Sequence, residues 1–379
     1  MKSTTNTKKY FYLRLKRLKR ILEDKNIPCM VILKDENIFY LTGFYGKDSD
    51  SLFCIVNGDL YLLVHNIYYE QARNSICLDG VNIIRYSFSK YEELSKLLGN
   101  YSLPLVGAES NNISHSDFLT LEDKLKKQNK KLVGVEDIVE DMRMIKDDLE
   151  IERIENACKI TDSVFSSIIN SKLSNIRNLS EIELKLEIEK EIISKGGDGS
   201  SFDTIVANGI NSSKPHHITE RKKVEDGLLL IDFGCIYNNY CSDITRTIII
   251  GKSGQKDKEK RLKEIYDIVL QSQLCAIESC REGISCAELD RISRDFIKKN
   301  GYDAYFLHSL GHGVGIEIHE KPTVSLHNNL VLRENMVITI EPAVYLEGIG
   351  GIRIEDMVQV KKDGCRVLYT SSKSLLVFS

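Results

Sequence analysis

The stretch that decides the reading is Leu230-Ile231-Asp232-Phe233-Gly234, followed by Ser242-Asp243-Ile244-Thr245-Arg246-Thr247. Each half is an apolar, strand-like run carrying an Asp, and a carboxylate there is costly to bury unless its charge is compensated. Between them lies Tyr237-Asn238-Asn239-Tyr240. Asn tolerates positive φ, so Asn238-Asn239 fits a two-residue hairpin loop. Such a loop pairs Tyr237 with Tyr240 and Gly234 with Asp243. Asp232 then shares a face with Asp243 as its diagonal neighbour, Cβ atoms roughly 7 Å apart. One strand Asp is ordinarily a hydrogen-bonded buried carboxylate, whereas two in register can flank a pair of cations.

Farther along, Leu307-His308-Ser309-Leu310-Gly311-His312-Gly313-Val314-Gly315 precedes His319-Glu320. Three of the eight histidines fall in these twelve residues, which weakens the ordinary reading of a lone structural His. His308 and His312 are spaced i, i+4, but Gly311, Gly313 and Gly315 argue against a continuous helix, and H-E-x-x-H is absent. The glycines point instead to backbone that something approaches closely, with imidazole as a ligand. Finally, Ile338-Thr339-Ile340-Glu341-Pro342 and Gly351-Ile352-Arg353-Ile354-Glu355-Asp356 each end an apolar run in a Glu. Either Glu could form a plain salt bridge with Arg353.

Taken as a set, Asp232, Asp243, His312, Glu341 and Glu355 are oxygen-rich, with one nitrogen and no sulfur. Four converging carboxylates repel one another and raise each other's pKa, and two divalent cations would cancel the charge. Such donors suit Mn²⁺, with Co²⁺, Zn²⁺ and Fe²⁺ as alternatives. A water between two such metals ionises near neutral pH and can attack a carbonyl.

The rest of the chain frames this set. Its 379 residues suit two domains. Lys+Arg number 52 against 55 Asp+Glu, so the net charge of −3 gives no global electrostatic reason to bind nucleic acid. No apolar run reaches the roughly 18 residues of a membrane span. The basic start of the chain lacks the apolar core of a signal peptide. The ten cysteines form no CxxC pair, which speaks against thiolate zinc sites and thioredoxin-type redox chemistry, and a chain of this length without a secretion signal is expected to keep its thiols reduced in the cytoplasm. Residues 9–25, 91–98, 146–173, 257–280 and 287–299 read as helices. Ser180 and Glu183 mark a capping box at the head of another, although 181–190 alternates polar and apolar residues. Short apolar runs at 28–33, 38–41, 52–56, 60–64, 103–108, 228–233, 243–250, 336–340, 357–360 and 367–369 read as strands.

The ordered motifs IDFG, SDITRT, GHGVG, IHE, TIEP and GIRIED resemble the pita-bread dinuclear metallopeptidases: methionine aminopeptidase, aminopeptidase P and prolidase, with creatinase as a metal-free cousin. Asn37-Ile38-Phe39-Tyr40-Leu41-Thr42-Gly43-Phe44 is similar to the creatinase-type N-terminal domain, which favours the aminopeptidase P/prolidase branch. The resemblance implies an α/β (α+β) architecture: a creatinase-type α/β domain over 1–145 and a pita-bread catalytic domain over 146–379. It implies two divalent ions, with Asp232 chelating one, Asp243 and Glu355 bridging, and His312 and Glu341 holding the other. Glu341 would also take the proton of the attacking water. His216, in Lys214-Pro215-His216, would touch the scissile amide, with His217 the second choice; the loop before Asp232 is one residue shorter than in many relatives. His308 would line a proline pocket, His319 would bond the substrate or oxyanion, and Arg353 would pair with a carboxylate.

The implied activity is hydrolysis of the bond between an N-terminal residue and proline, in peptides with proline second, by a cytoplasmic homodimer. An inactive peptide-binding module and a creatinase-like amide or amidine hydrolase are the alternatives. The intact ligand set speaks against both. The chain departs from the family in having Glu341-Pro342-Ala343 for Glu-Pro-Gly. It also has only His327 and Arg333, neither a secure match, where dipeptide-specific prolidases carry a carboxylate-binding Arg.

Overall fold

The computed structural model describes residues 2–47, 49–171, 173–251 and 256–378. The chain divides into two compact units, Met1–Arg143 and Met144–Ser379.

The first unit is built on a six-stranded mixed sheet. Its spatial order is Val81–Tyr86, Asp59–His65, Leu52–Val56, Cys29–Ile32, Leu105–Glu109 and Lys131–Val135. The two strands Cys29–Ile32 and Leu52–Val56 are buried along their whole length, which explains why they read as continuous apolar runs rather than alternations. One expectation fails in this unit. Residues 38–41 are not a strand but part of a helix, Asp35–Thr42. Asp35 and Glu36 favour its N-terminal turn, and Gly43, at φ 82°, closes it with its N–H on the Phe39 carbonyl. A four-residue apolar run alone does not separate a buried strand from a buried helix turn.

The second unit holds the site. Strands Ile205–Asn208, Gly227–Phe233 and Ile244–Ile250 run antiparallel, and Val377–Phe378 adds in parallel to the last. A five-stranded antiparallel sheet orders Glu320–Val324, Gly311–Gly313, Val337–Ile340, Asp356–Lys361 and Gly364–Val367. The hairpin Ala343–Leu346/Gly350–Arg353 completes the strands that carry candidate residues. Helices Lys256–Ser279 and Cys286–Lys299 supply Ile265, Val269 and Leu289 to an apolar core shared with Ile338, Ile340, Val358 and Val360 of the sheet.

Helix Glu181–Ser194 forms despite its alternating sequence. Ser180 accepts from the Glu183 N–H while Glu183 reaches back to the Ser180 N–H, and Leu184, Ile188 and Ile192 bury one face at i+4 spacing. Leu186 and Ile193 are left exposed. A second expectation fails at the far end. The strand is Gly364–Val367 rather than 367–369, because the two-residue turn at Lys362-Asp363 closes a hairpin that pairs Lys361 with Gly364 and Val358 with Val367. Tyr369 beyond it turns inward and is buried. No helix among the described residues is long and apolar enough to cross a membrane.

Candidate metal centre

The hairpin at the heart of the site is built as its sequence dictates. Asn238 and Asn239 take φ 49° and 66°, and Tyr237 pairs with Tyr240. The same register continues beyond, with Phe233 opposite Ile244 and Asp232 opposite Thr245. Gly234 is required between them: an added Cβ would lie 1.8 Å from the Ser242 carbonyl oxygen. The glycines flanking His312 have the same cause. A Cβ on Gly311 would meet the Thr339 carbonyl at 2.0 Å, and one on Gly313 the Lys321 carbonyl at 2.2 Å. The closely approaching partner is therefore the backbone of the two neighbouring strands.

Asp232, Asp243, His312, Glu341 and Glu355 all line one cavity of about 810 Å³. Asp243, His312 and Glu355 each offer a ligand atom within 4.8 Å of the others. His312 Nε2 lies 3.6 Å from Asp243 Oδ2 and 3.4 Å from Glu341 Oε1. Arg353 bonds Asp232 at 2.5 Å, rather than either glutamate. Its Nε also donates to Thr245 Oγ1 at 3.0 Å, and Thr245 in turn donates to Glu355 Oε2 at 2.7 Å. Thr339 Oγ1 accepts from the His312 N–H and donates to Glu341 Oε1. Tyr369 clamps the Asp243 backbone, accepting from its N–H at 3.0 Å and donating to its carbonyl at 2.6 Å.

The electrostatics of this group are strained. Burial, then the charges of Glu355, Asp232 and Glu341, push the Asp243 carboxyl well above its ordinary range. Glu355 is raised likewise by burial, Glu341 and Asp232. Burial lifts Glu341 to about 7 despite the opposing pull of Arg353. Burial, with His319 adding to it, lowers His312 to about 4, so its imidazole is neutral and able to ligate. Asp232 Oδ1 is buried with no hydrogen-bond partner. An orphaned carboxylate oxygen beside three more carboxylates and a neutral imidazole fits hard divalent cations.

The other expected residues also reach the cavity. His216, His308, His319 and Arg353 line it. The His319 and His312 rings meet edge to face, centroids 4.4 Å apart. His308 Nε2 lies 3.0 Å from the Tyr345 hydroxyl, and burial, then Arg353, lowers its pKa to about 4. His217 is held differently: its ring is buried and its Nε2 lies 2.9 Å from Glu181 Oε2. Glu181 also accepts from the N–H groups of Asn208 and Glu220 and from Asn211 Nδ2. One carboxylate thus gathers the loop that presents His216.

Sequence reading missed this hub, along with Thr245, Thr339, Tyr345 and Tyr369. Thr245 and Thr339 stand two residues from Asp243 and Glu341, where strand alternation could have found them. No local signal marks Tyr369 or Glu181.

A carboxylate-rich, imidazole-bearing cavity in a two-unit α/β chain defines a metallohydrolase of pita-bread architecture. Residues 152–362 match the metallopeptidase family M24, and residues 14–145 match the creatinase/prolidase N-terminal domain. The chain is 38% identical over 366 residues to an Xaa-Pro dipeptidase of Pyrococcus furiosus, covering 96% of this chain and 99% of that one. It superposes on the Xaa-Pro dipeptidase from Bacillus anthracis with TM-score 0.89 at 32% identity, over 97% of this chain and 99% of that one. An X-Pro aminopeptidase from Thermotoga maritima gives TM-score 0.86 at 34% identity, over 96% and 99%. The chain belongs to metallopeptidase family M24 and carries the creatinase/prolidase N-terminal domain.

Proposed function

We propose that this metallopeptidase hydrolyses the bond between an N-terminal residue and proline, using a pair of divalent ions. The observation that carries this is the convergence of four carboxylates and one neutral imidazole on a single cavity, with a buried Asp232 oxygen left unpartnered. The names of the similar dipeptidase and aminopeptidase chains support the substrate class.

Asp232, Asp243, His312, Glu341 and Glu355 would hold the metals, with Asp243 and Glu355 shared between them. When bound, the cations supply Lewis acidity and a water ionised near neutral pH. Glu341, whose Oε1 already accepts from Thr339, would take and return the proton at Oε2. His216 and His319 are the imidazoles available to hold the scissile carbonyl, and a donor there must stand about 3 Å from the developing charge. His308, fixed by Tyr345 and the Ser309 carbonyl, would wall the proline ring. An X-Pro bond is a tertiary amide without N–H. A site that grips the carbonyl needs no hydrogen from it.

Mn²⁺ is our choice of metal from the donor set, and exchange of Mn²⁺, Co²⁺, Zn²⁺ and Fe²⁺ into chelated protein tests it. The catalytic role is assigned to residues 146–379, with 1–145 as the creatinase-type domain. A homodimer and a cytoplasmic setting complete the proposal; light scattering and cell fractionation test them.

The deciding assay offers Mn²⁺-loaded protein Xaa-Pro and Xaa-Pro-Yaa peptides beside Xaa-Ala controls, with and without chelator. Cleavage confined to the proline peptides and abolished by chelator is expected. Metal-independent cleavage, or none on any proline peptide, would sink the reading.

A further inference from the structure

The His319 ring is exposed and rests edge to face on His312, centroids 4.4 Å apart. Its aim is set by the backbone that carries it, the loop 314–319 closed by the pairing of Gly313 with Glu320. The Glu320 side chain reaches back into this loop. Its Oε1 accepts from the Ile316 N–H at 2.8 Å and from the Glu317 N–H at 3.1 Å. Gly315 leaves room for it: an added Cβ would lie 2.5 Å from Glu320 Oε2.

Oε2 in turn pairs with Lys146 Nζ at 3.2 Å, with side chains 5% and 0% exposed. The Lys146 N–H is itself anchored on the Asn335 carbonyl at 3.0 Å. Cys241 also holds the loop, its N–H on the Gly315 carbonyl at 2.7 Å and its thiol on the Ile316 carbonyl at 3.4 Å. The loop that bears His319 is thus tied to the strand that bears Asp243, two residues beyond Cys241. A buried ion pair adds little stability once its desolvation is counted, so stability alone is a weak reason for Lys146–Glu320. Its place in the structure is more telling: Glu320 lines the same cavity as His319 and spends one oxygen on the loop between Gly315 and His319.

Resting on the Xaa-Pro reading and on the role given there to His319, we propose that Glu320 and Lys146 are positioning residues for that imidazole. The carboxylate fixes the loop that aims His319 at the scissile carbonyl, and the lysine holds the carboxylate. Glu320 acts through His319 and not on the reacting atoms. A misplacement of about 1 Å in such a group costs roughly 10²-fold in rate. The loss falls in kcat, because a bond to developing charge is made only in the transition state.

The test is a double-mutant cycle on Mn²⁺-loaded protein with a proline peptide. Glu320→Ala should lower kcat by about 30- to 100-fold, with KM within about twofold of wild type and metal per chain unchanged. In a His319→Ala background the same change should cost no more than about threefold further. Lys146→Met, which strands the carboxylate, should also lower kcat. Lys146→Met with Glu320→Gln keeps a neutral acceptor for the Ile316 and Glu317 N–H groups, and should recover about a third or more of wild-type kcat. This neutral pair decides the matter if Glu320→Ala does not fold. Amide hydrogen exchange reads the loop without turnover. In chelated Lys146→Met the Ile316 and Glu317 amides should exchange about tenfold faster than in chelated wild type, and the neutral pair should restore their protection.

Losses that multiply in the Glu320→Ala/His319→Ala cycle overturn the proposal. So does wild-type kcat in Glu320→Ala or Lys146→Met, metal loss from either, or a neutral pair as slow as Lys146→Met. A wild-type protein that cleaves Xaa-Ala but no proline peptide breaks the Xaa-Pro reading, a separate failure, and the cycle is then run on the peptide it cleaves.

Discussion

Glu181 and the Asp232–Asp243–Glu341–Glu355 group are buried in the same unit, yet their surroundings are opposite. Burial acts to raise the Glu181 carboxyl, but donors from Asn211, Asn208, His217 and Glu220 outweigh it and hold the group below its ordinary value. The metal-side carboxylates face one another, and Asp243, Glu341 and Glu355 are raised. A satisfied buried carboxylate is a structural tie; an under-satisfied cluster is a receptor awaiting positive charge. Arg353 supplies one such charge, to Asp232, and the remainder must come from outside the chain.

The largest expected effect breaks the receptor side. Asp243→Ala or Glu355→Ala should lower kcat/KM on proline peptides by about 10³-fold or more and cut metal bound per chain, measured by peptide assay and elemental analysis. If either variant keeps full metal content and activity, the receptor side of the contrast falls.

Next comes the tie. Glu181→Ala strands four donors and removes the partner of His217, and should cost about 3–5 kcal/mol in urea unfolding. His217→Ala should cost about 1–3 kcal/mol. Both should lower activity through the loop that presents His216, without changing metal content. Metal loss in either variant would merge the two clusters into one.

The smallest effect sharpens the contrast through pH. The folded-state pKa of Glu341, at about 7, exceeds its unfolded value, so the folded metal-free chain binds the extra proton. That stability is fully present below about pH 4.5 and is lost as pH rises through about 7. Asp243 and Glu355, also raised, act in the same direction. Chelated protein should therefore lose Tm relative to Mn²⁺-loaded protein as pH climbs, and calorimetry at several pH values reads the gap. A gap that narrows toward pH 8 contradicts the charge argument.

The site was more legible in the sequence than the fold around it. Asp232 and Asp243 were found because the Asn238-Asn239 loop fixes a register, and register fixes which side chains share a face. The capping box outweighed a misleading alternation in 181–190 for a local reason, reciprocal bonds between Ser180 and Glu183. Residues 38–41 misled because Asp35, Glu36 and Gly43, which make the helix, lie outside the apolar run. Glu181 and His217 are 36 residues apart, and only the folded chain shows that they meet. Arg353 pairs with Asp232 rather than with Glu355 of its own motif or with Glu341, both nearer in sequence, for the same reason.

Tyr369 ties the shape of the centre to the far end of the chain. Its hydroxyl, fourteen residues beyond Glu355, pins Asp243 through both its N–H and its carbonyl. Undocking of that end alone would free the Asp243 backbone while leaving all five candidate ligands in the chain.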